Sequence, residues 1–214
     1  MRSATLHPLP EGGSRVMKPA RRMGPANSET RMAMLDATER VLRDEGYAAV
    51  SSRRIAQEAG LKQQLVYYYF HTMDELLLAT FRRRTERALA RLRTTLESDH
   101  PLRALWEMIS EQSVAGLSGE FMALANHHEG IRAEVTRYVE ESRALEAQVL
   151  SRLMPKAQAG SPPLSAAALS MAMSSISQTL ARETETGITS GHADIRAFIA
   201  WCLERFDPTE KSHS

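Results

Sequence analysis

The chain has 214 residues, 43% of them hydrophobic and 25% charged, with a net charge of +1. That balance is ordinary for a globular protein with one or two cores and excludes collagen-like, low-complexity and highly charged unfolded chains. No apolar run approaches the roughly 18 residues of a membrane span, no hydrophobic signal segment follows the basic N-terminus, and the single cysteine, Cys202, has no partner for an internal disulfide or a thiolate metal site, so a cytoplasmic protein is expected.

The small net charge conceals an asymmetry. Met1 to Thr95 carries 17 Lys and Arg against 10 Asp and Glu, whereas Leu96 to Ser214 carries 10 against 16. A basic N-terminal part points to a polyanionic partner, and the acidic remainder argues against nucleic acid winding around the whole molecule.

In chain order, residues 1–27 hold four of the nine prolines, three of the eleven glycines and five basic residues with no helical period, which reads as a disordered basic arm. Ser28 and Glu29 then open a first helix, with Met34, Leu35, Thr38, Val41 and Leu42 at helical spacing up to Gly46. Ser51 or Ser52 caps a short second helix carrying Ile55, Ala56 and Ala59, and Gly60 supplies a left-handed stop. A third short helix is expected from about Lys62 to Tyr68. Thr72 with Glu75 makes a capping box for a long fourth helix whose stripe is Leu77, Phe81, Ala88, Leu92 and Leu96.

Pro101 suits the first turn of a fifth helix ending near Gly116. A short helix from Gly119 to about His127 and a long one from Ile131 to Leu153 follow. After a break at Pro155 to Pro163, two more run from Leu164 to about Thr186 and from Ala193 to Phe206. No alternating pattern calls for a strand. The predicted fold is all-α, with about nine helices and no internal repeat.

The stretch "SSRRIAQEAGLKQQLVYYYF", Ser51 to Phe70, places two short helices on either side of a glycine turn. This is the arrangement of a helix-turn-helix, whose second helix fits the major groove of duplex DNA. Gln63 and Gln64 offer paired donors and acceptors to base edges, and Leu65 suits a thymine methyl. Ser51, Ser52, Arg53, Lys62, Tyr67, Tyr68 and Thr72 are of the kinds that hold phosphates and set register.

The run from Arg31 to Leu77 resembles the DNA-binding domain of TetR/AcrR-family bacterial transcriptional regulators. The resemblance rests on Leu35-Asp36-Ala37, Gly46-Tyr47, Ile55-Ala56, Ala59-Gly60, Tyr67, Tyr69-Phe70, Glu75 and Leu76-Leu77 in the family's spacing. Lys62 stands where the family usually has a serine cap, and Met73 where it often has a lysine. The resemblance implies a homodimeric, ligand-responsive regulator, most often a repressor, that binds an inverted-repeat operator and needs no cofactor. It further implies a helix-turn-helix domain at 28–80, an effector-binding and dimerisation domain at 81–207 and a tail at 208–214.

Within the second domain, Trp106, Met108, Phe121, Met122, Tyr138, Met171 and Met173 are core candidates. Under the resemblance they also become candidates to line a cavity for a mostly apolar effector, anchored by Gln112, His127 or Tyr138. "LSAAALSMAMSSISQTLA", Leu164 to Ala181, has small residues on nearly every face and permits close approach of a partner helix. Ile195, Phe198, Ile199 and Cys202 form the stripe of the last helix. Adjacent His127 and His128 lack the spacing that puts two imidazoles on one helix face, so no metal is expected. Arg82 to Arg84 reads as a solvated helix face. No phosphate loop, zinc-protease helix or nucleophile elbow suggests an enzyme. The alternative reading is a membrane-surface or other helical interaction protein using the basic amphipathic segment Phe81 to Leu96.

Overall fold

A computed structural model describes residues 28–114, 117–153 and 165–207. The basic arm, the end of the fifth helix at Gly116, the break at Pro155 to Pro163 and the tail lie outside the described residues. Within them the chain is helical with no strand: α1 (Glu29–Glu45), a single 3-10 turn (Tyr47–Ala49), α2 (Ser52–Glu58), α3 (Gln63–Tyr69), α4 (Met73–Leu96), α5 (Pro101–Val114), α6 (Leu117–Ala125), α7 (Glu129–Leu153), α8 (Ala166–Thr186) and α9 (His192–Phe206).

Side-chain caps decide several starts. Ser28, Ser51, Thr72 and Ser165 each accept a hydrogen bond from the backbone N–H three residues on, and each such cap is worth about 1 kcal/mol. Of the two serines that could open α2, Ser51 does so and Ser52 turns inward. Thr72 receives the Glu75 N–H at 3.0 Å, while the Glu75 carboxylate reaches back to the His71 N–H at 2.8 Å. Helix α7 begins at Glu129, ahead of the expected Ile131, because the His128 carbonyl already accepts the Arg132 N–H.

Three apolar clusters hold these helices together. Met34, Leu35, Val41, Ile55, Val66, Phe70 and Leu76 join α1, α2, α3 and the start of α4. Leu42, Leu77 and Phe81 meet Phe121, Leu124, Ala125 and Ile131, which docks the first four helices on α6 and α7. Leu92, Leu102, Leu105, Met108, Ile109, Leu150, Met173 and Leu203 form the third, among α4, α5, α7, α8 and α9. Burial of one such side chain contributes about 1.5–3 kcal/mol. In α4 the buried stripe runs through Leu89, with the expected Ala88 and Leu96 only half-buried.

Two polar ties lock α4 between its neighbours. Arg83 reaches Asp36 and Glu39 of α1, each at 2.7 Å. Two residues on, the Thr85 hydroxyl donates to Glu134 of α7 at 3.0 Å, and Glu134 also pairs with Arg82 at 3.4 Å and with Arg137. Burial pushes the Glu134 carboxyl up, but the Arg137 and Thr85 hydrogen bonds and the Arg82 charge outweigh it and hold it below the usual carboxylate range.

Candidate nucleic-acid interface

Helices α2 and α3 are joined by a turn through Gly60, whose φ of +66° falls in the left-handed region that side-chain-bearing residues rarely adopt. The Leu61 N–H closes the turn on the Ala56 carbonyl at 2.8 Å. Val66, Tyr69 and Phe70 bury one face of α3 against Ile55 and Ala56. The opposite face and the N-terminal end of α3 remain exposed, with Lys62, Gln63, Gln64, Tyr67 and Tyr68 along them. Ser51, Arg53 and Thr72 flank this surface and are also exposed.

The structure separates these side chains by role. Ser52 is 6% exposed, and its hydroxyl accepts from Gln63 Nε2 at 2.8 Å and from the Tyr67 hydroxyl at 3.0 Å. Its place is therefore between α2 and α3, bracing them, rather than on the outer surface where a phosphate would lie. With the Gln63 amide held this way, Gln64 is the glutamine whose amide has no partner among the described residues. Leu65 is half-buried and leans on the first cluster. Tyr68 stands edge-on to Tyr69, with ring centroids 5.1 Å apart. Lys62 holds the N-cap position of α3, where its donor-only ammonium cannot cap the helix, and among the described residues it forms no ion pair.

The arginines divide in the same way. Arg54 pairs with Glu45 at 2.5 Å and with Glu58 at 2.9 Å, and Arg40 pairs with Glu58 at 2.7 Å. Hydrogen bonds from Arg40 and Arg54 hold the Glu58 carboxyl low, so these two cations are neutralised inside the domain. Arg53, one residue before Arg54, forms no ion pair among the described residues and points its charge outward. Of the Arg82 to Arg84 run, Arg82 has the solvated position expected of it and the other two do not. Arg82 pairs with Glu134, Arg83 clamps α1, and Arg84 is half-buried beside Tyr138.

The residues expected to line an effector cavity fall into three places. Trp106, Met108 and Met173 come together in the third cluster, with Gln112 half-buried nearby on α5. Phe121 belongs to the second cluster, its ring 4.3 Å from that of Phe81. Met122 and Met171 are 57% and 55% exposed and His127 is exposed, so these three line no interior space. Tyr138 is half-buried on α7.

Sequence reasoning weighed His128 only as a metal ligand and gave it no contact role. Its Nε2 lies 3.4 Å from the Tyr47 hydroxyl and its Nδ1 3.4 Å from Asp74, so the α6–α7 corner touches the helix-turn-helix part. On α9, Ile199 and Leu203 pack inward, whereas Phe198 and Trp201 stack at 6.1 Å on the outside, and Met171 on α8 is exposed as well.

Residues 34–80 match the family described as bacterial regulatory proteins, tetR family. Over 52 residues, 24% of this chain and 26% of the relative, the sequence is 42% identical to the HTH-type transcriptional regulator BetI of Rhizobium meliloti (strain 1021). This match therefore spans about a quarter of that relative's length. Over 140 residues, 56% of this chain and 68% of the relative, it is 29% identical to the HTH-type transcriptional regulator PksA of Bacillus subtilis (strain 168). The fold is similar to a TetR transcription regulator from Haloarcula marismortui ATCC 43049, with a TM-score of 0.63 at 22% identity over 83% of this chain and 97% of that one. Residues 34–80 are thus a TetR-family helix-turn-helix domain.

Proposed function

We propose that this TetR-family transcriptional regulator is a repressor that binds an inverted-repeat operator as a homodimer and is released by a small molecule. The observation that carries the reading is the exposed end of α3, where Gln64 has a free amide and Lys62 and Arg53 have free charges on a rigid two-helix scaffold. Gln64 would read a base edge, adenine best, while Lys62, Arg53, Ser51, Tyr68 and Thr72 hold phosphates on either side.

The exposed Phe198 and Trp201 of α9 and the exposed Met171 of α8 support pairing of these helices with their copies about a two-fold axis. Such a dimer must hold its two α3 helices about 34–36 Å apart, or a multiple of that, to reach successive major grooves on one side of the duplex. Helix α4 links α3 to the effector side, tied to α1 through Arg83 and to α7 through Thr85 and Glu134. A ligand that tilts α4 moves α3 with it and takes the pair out of groove spacing. The ligand can shift DNA affinity only by its own preference between the two arrangements, and bound DNA weakens the ligand by the same factor.

The membrane-surface reading fits less well. The apolar stripe of α4 is spent in the protein core, and Arg82, Arg83, Arg87, Arg91 and Arg93 are all paired with carboxylates. The test is fluorescence anisotropy with duplexes from the DNA flanking the gene. A strong, salt-dependent preference for a duplex with an inverted repeat over its scrambled version is expected, and equal binding to both overturns the reading.

A further inference from the structure

Two glutamates of α7 are buried to the same extent, each 6% exposed, yet their surroundings differ. Glu134 has Arg82, Arg137 and Thr85 around its carboxylate. Glu146, three turns further along, has one hydrogen bond, donated by the Ser170 hydroxyl of α8, itself 1% exposed. Among the described residues no lysine, arginine or histidine forms an ion pair with Glu146. The one positive charge that bears on it is that of Arg143, on the same helix, and burial dominates and pushes the Glu146 carboxyl up.

One turn before Glu146, the Ser142 hydroxyl is buried and has no well-formed hydrogen bond. One turn before that, Tyr138 brings an aromatic ring and a phenol to the same face of α7, beside Ser142. Folded interiors satisfy nearly all of their buried polar groups, and a buried carboxylate persists when a positive charge and hydrogen bonds compensate it. Here Glu146 has one hydrogen bond and no paired charge, and the buried Ser142 hydroxyl beside it faces the Tyr138 phenol, next to the apolar cluster that holds Met173, Leu150 and Trp106.

We propose that the seam between α7 and α8 receives the positively charged head of an organic ammonium effector, with Glu146 as its counter-charge and Ser142 as a hydrogen-bonding neighbour. The tail of such a molecule would lie against Trp106 and Met173. The inference rests on the effector-responsive reading above and narrows its ligand from an apolar molecule to a cationic amphiphile. A divalent metal fits less well, since no group of three or more potential ligands is found among the described residues.

The test uses the full chain and three probes with one tail and different heads: hexylammonium, hexan-1-ol and hexanoate, titrated to millimolar concentration by calorimetry and by thermal shift. Hexylammonium is expected to bind at least tenfold more tightly than hexan-1-ol, with hexanoate weakest. Glu146→Gln is expected to lower hexylammonium affinity at least tenfold and to leave hexan-1-ol within twofold. Equal binding of cation and alcohol to the wild type overturns the proposal whether or not the variant folds, as does failure of all three to bind or undiminished cation binding by a folded variant. Operator release, measured on the same samples, separates the two readings. Release by hexan-1-ol alone leaves a ligand-responsive regulator and removes the cationic site. Glu146-dependent binding without release supports the site and removes ligand-driven release.

Discussion

Replacing Phe121 with alanine tests how firmly the helix-turn-helix part is docked on the rest of the chain. The Phe121 side chain is 1% exposed, and its ring sits 4.3 Å from that of Phe81 among Leu42, Leu77, Leu124, Ala125 and Ile131. Truncation of a fully buried phenylalanine costs about 3–5 kcal/mol in lost transfer energy and residual cavity. The aromatic pair adds about 0.5–1.5 kcal/mol that Phe121→Leu would also forfeit while filling most of the space. We therefore expect about 4 kcal/mol for Phe121→Ala and about 1.5 kcal/mol for Phe121→Leu, measured by urea unfolding at equal protein concentration. For a chain of this length 1 kcal/mol corresponds to about 2–4 °C, so the alanine variant should melt about 8–16 °C lower. A shift below about 2 °C would mean that the cavity collapses freely and that the second cluster is not the joint described here.

Gln64→Ala should cost on the order of 1–3 kcal/mol on the preferred operator and almost nothing on random DNA; equal losses on both would remove Gln64 from base readout. Lys62→Ala and Arg53→Ala should each weaken both kinds of binding and lower the slope of log affinity against log salt by about one, and an unchanged slope would place the side chain outside the interface. Trp201→Glu should convert a dimer into monomers in sedimentation at micromolar concentration, without loss of helicity; an unchanged mass would show that α9 pairs with nothing through this surface. Glu146→Gln should alter the pH profile of stability. Ser170 and Arg143 are the groups facing this carboxyl, and because its folded pKa is raised, the stability it confers is complete below the unfolded value of about 4.3 and is lost as pH rises through the folded value. The variant should therefore gain in melting temperature relative to the wild type as pH rises above the unfolded value, and parallel profiles would contradict an unpaired buried carboxyl.

The helical plan was legible because its signals are local. Ser28, Ser51 and Thr72 announce helix starts, Gly60 a turn, and Leu35, Val41 and Leu42 a buried face, each readable within a few residues. What escaped depends on partners far away in sequence. Arg53 and Arg54 look equivalent in the chain, and only the placement of Glu45 and Glu58 shows that one is spent internally. Ser52 and Ser51 are likewise adjacent hydroxyls, separated in role by the arrival of Gln63 and Tyr67 from α3. Met122 and Met171 share the composition of Met108 and Met173 but fall on the outer sides of their helices. Glu146 has the look of one more acid on a charged helix until Ser170 closes over it.

The course of α4 through all three clusters bears on how this chain can be divided. Leu76 belongs to the first cluster, Leu77 and Phe81 to the second and Leu92 to the third, all on one unbroken helix of 24 residues. At about 1.5 Å per residue it is a rod of about 36 Å, and the end of the family match at residue 80 falls inside it, between Thr80 and Phe81, both buried. The two halves are not beads on a string. A chimera joined at that point would graft a foreign Phe81 surface onto Leu42 and Leu77, so exchange of DNA specificity in this scaffold has to leave α4 intact and transplant only the outward side chains of α3.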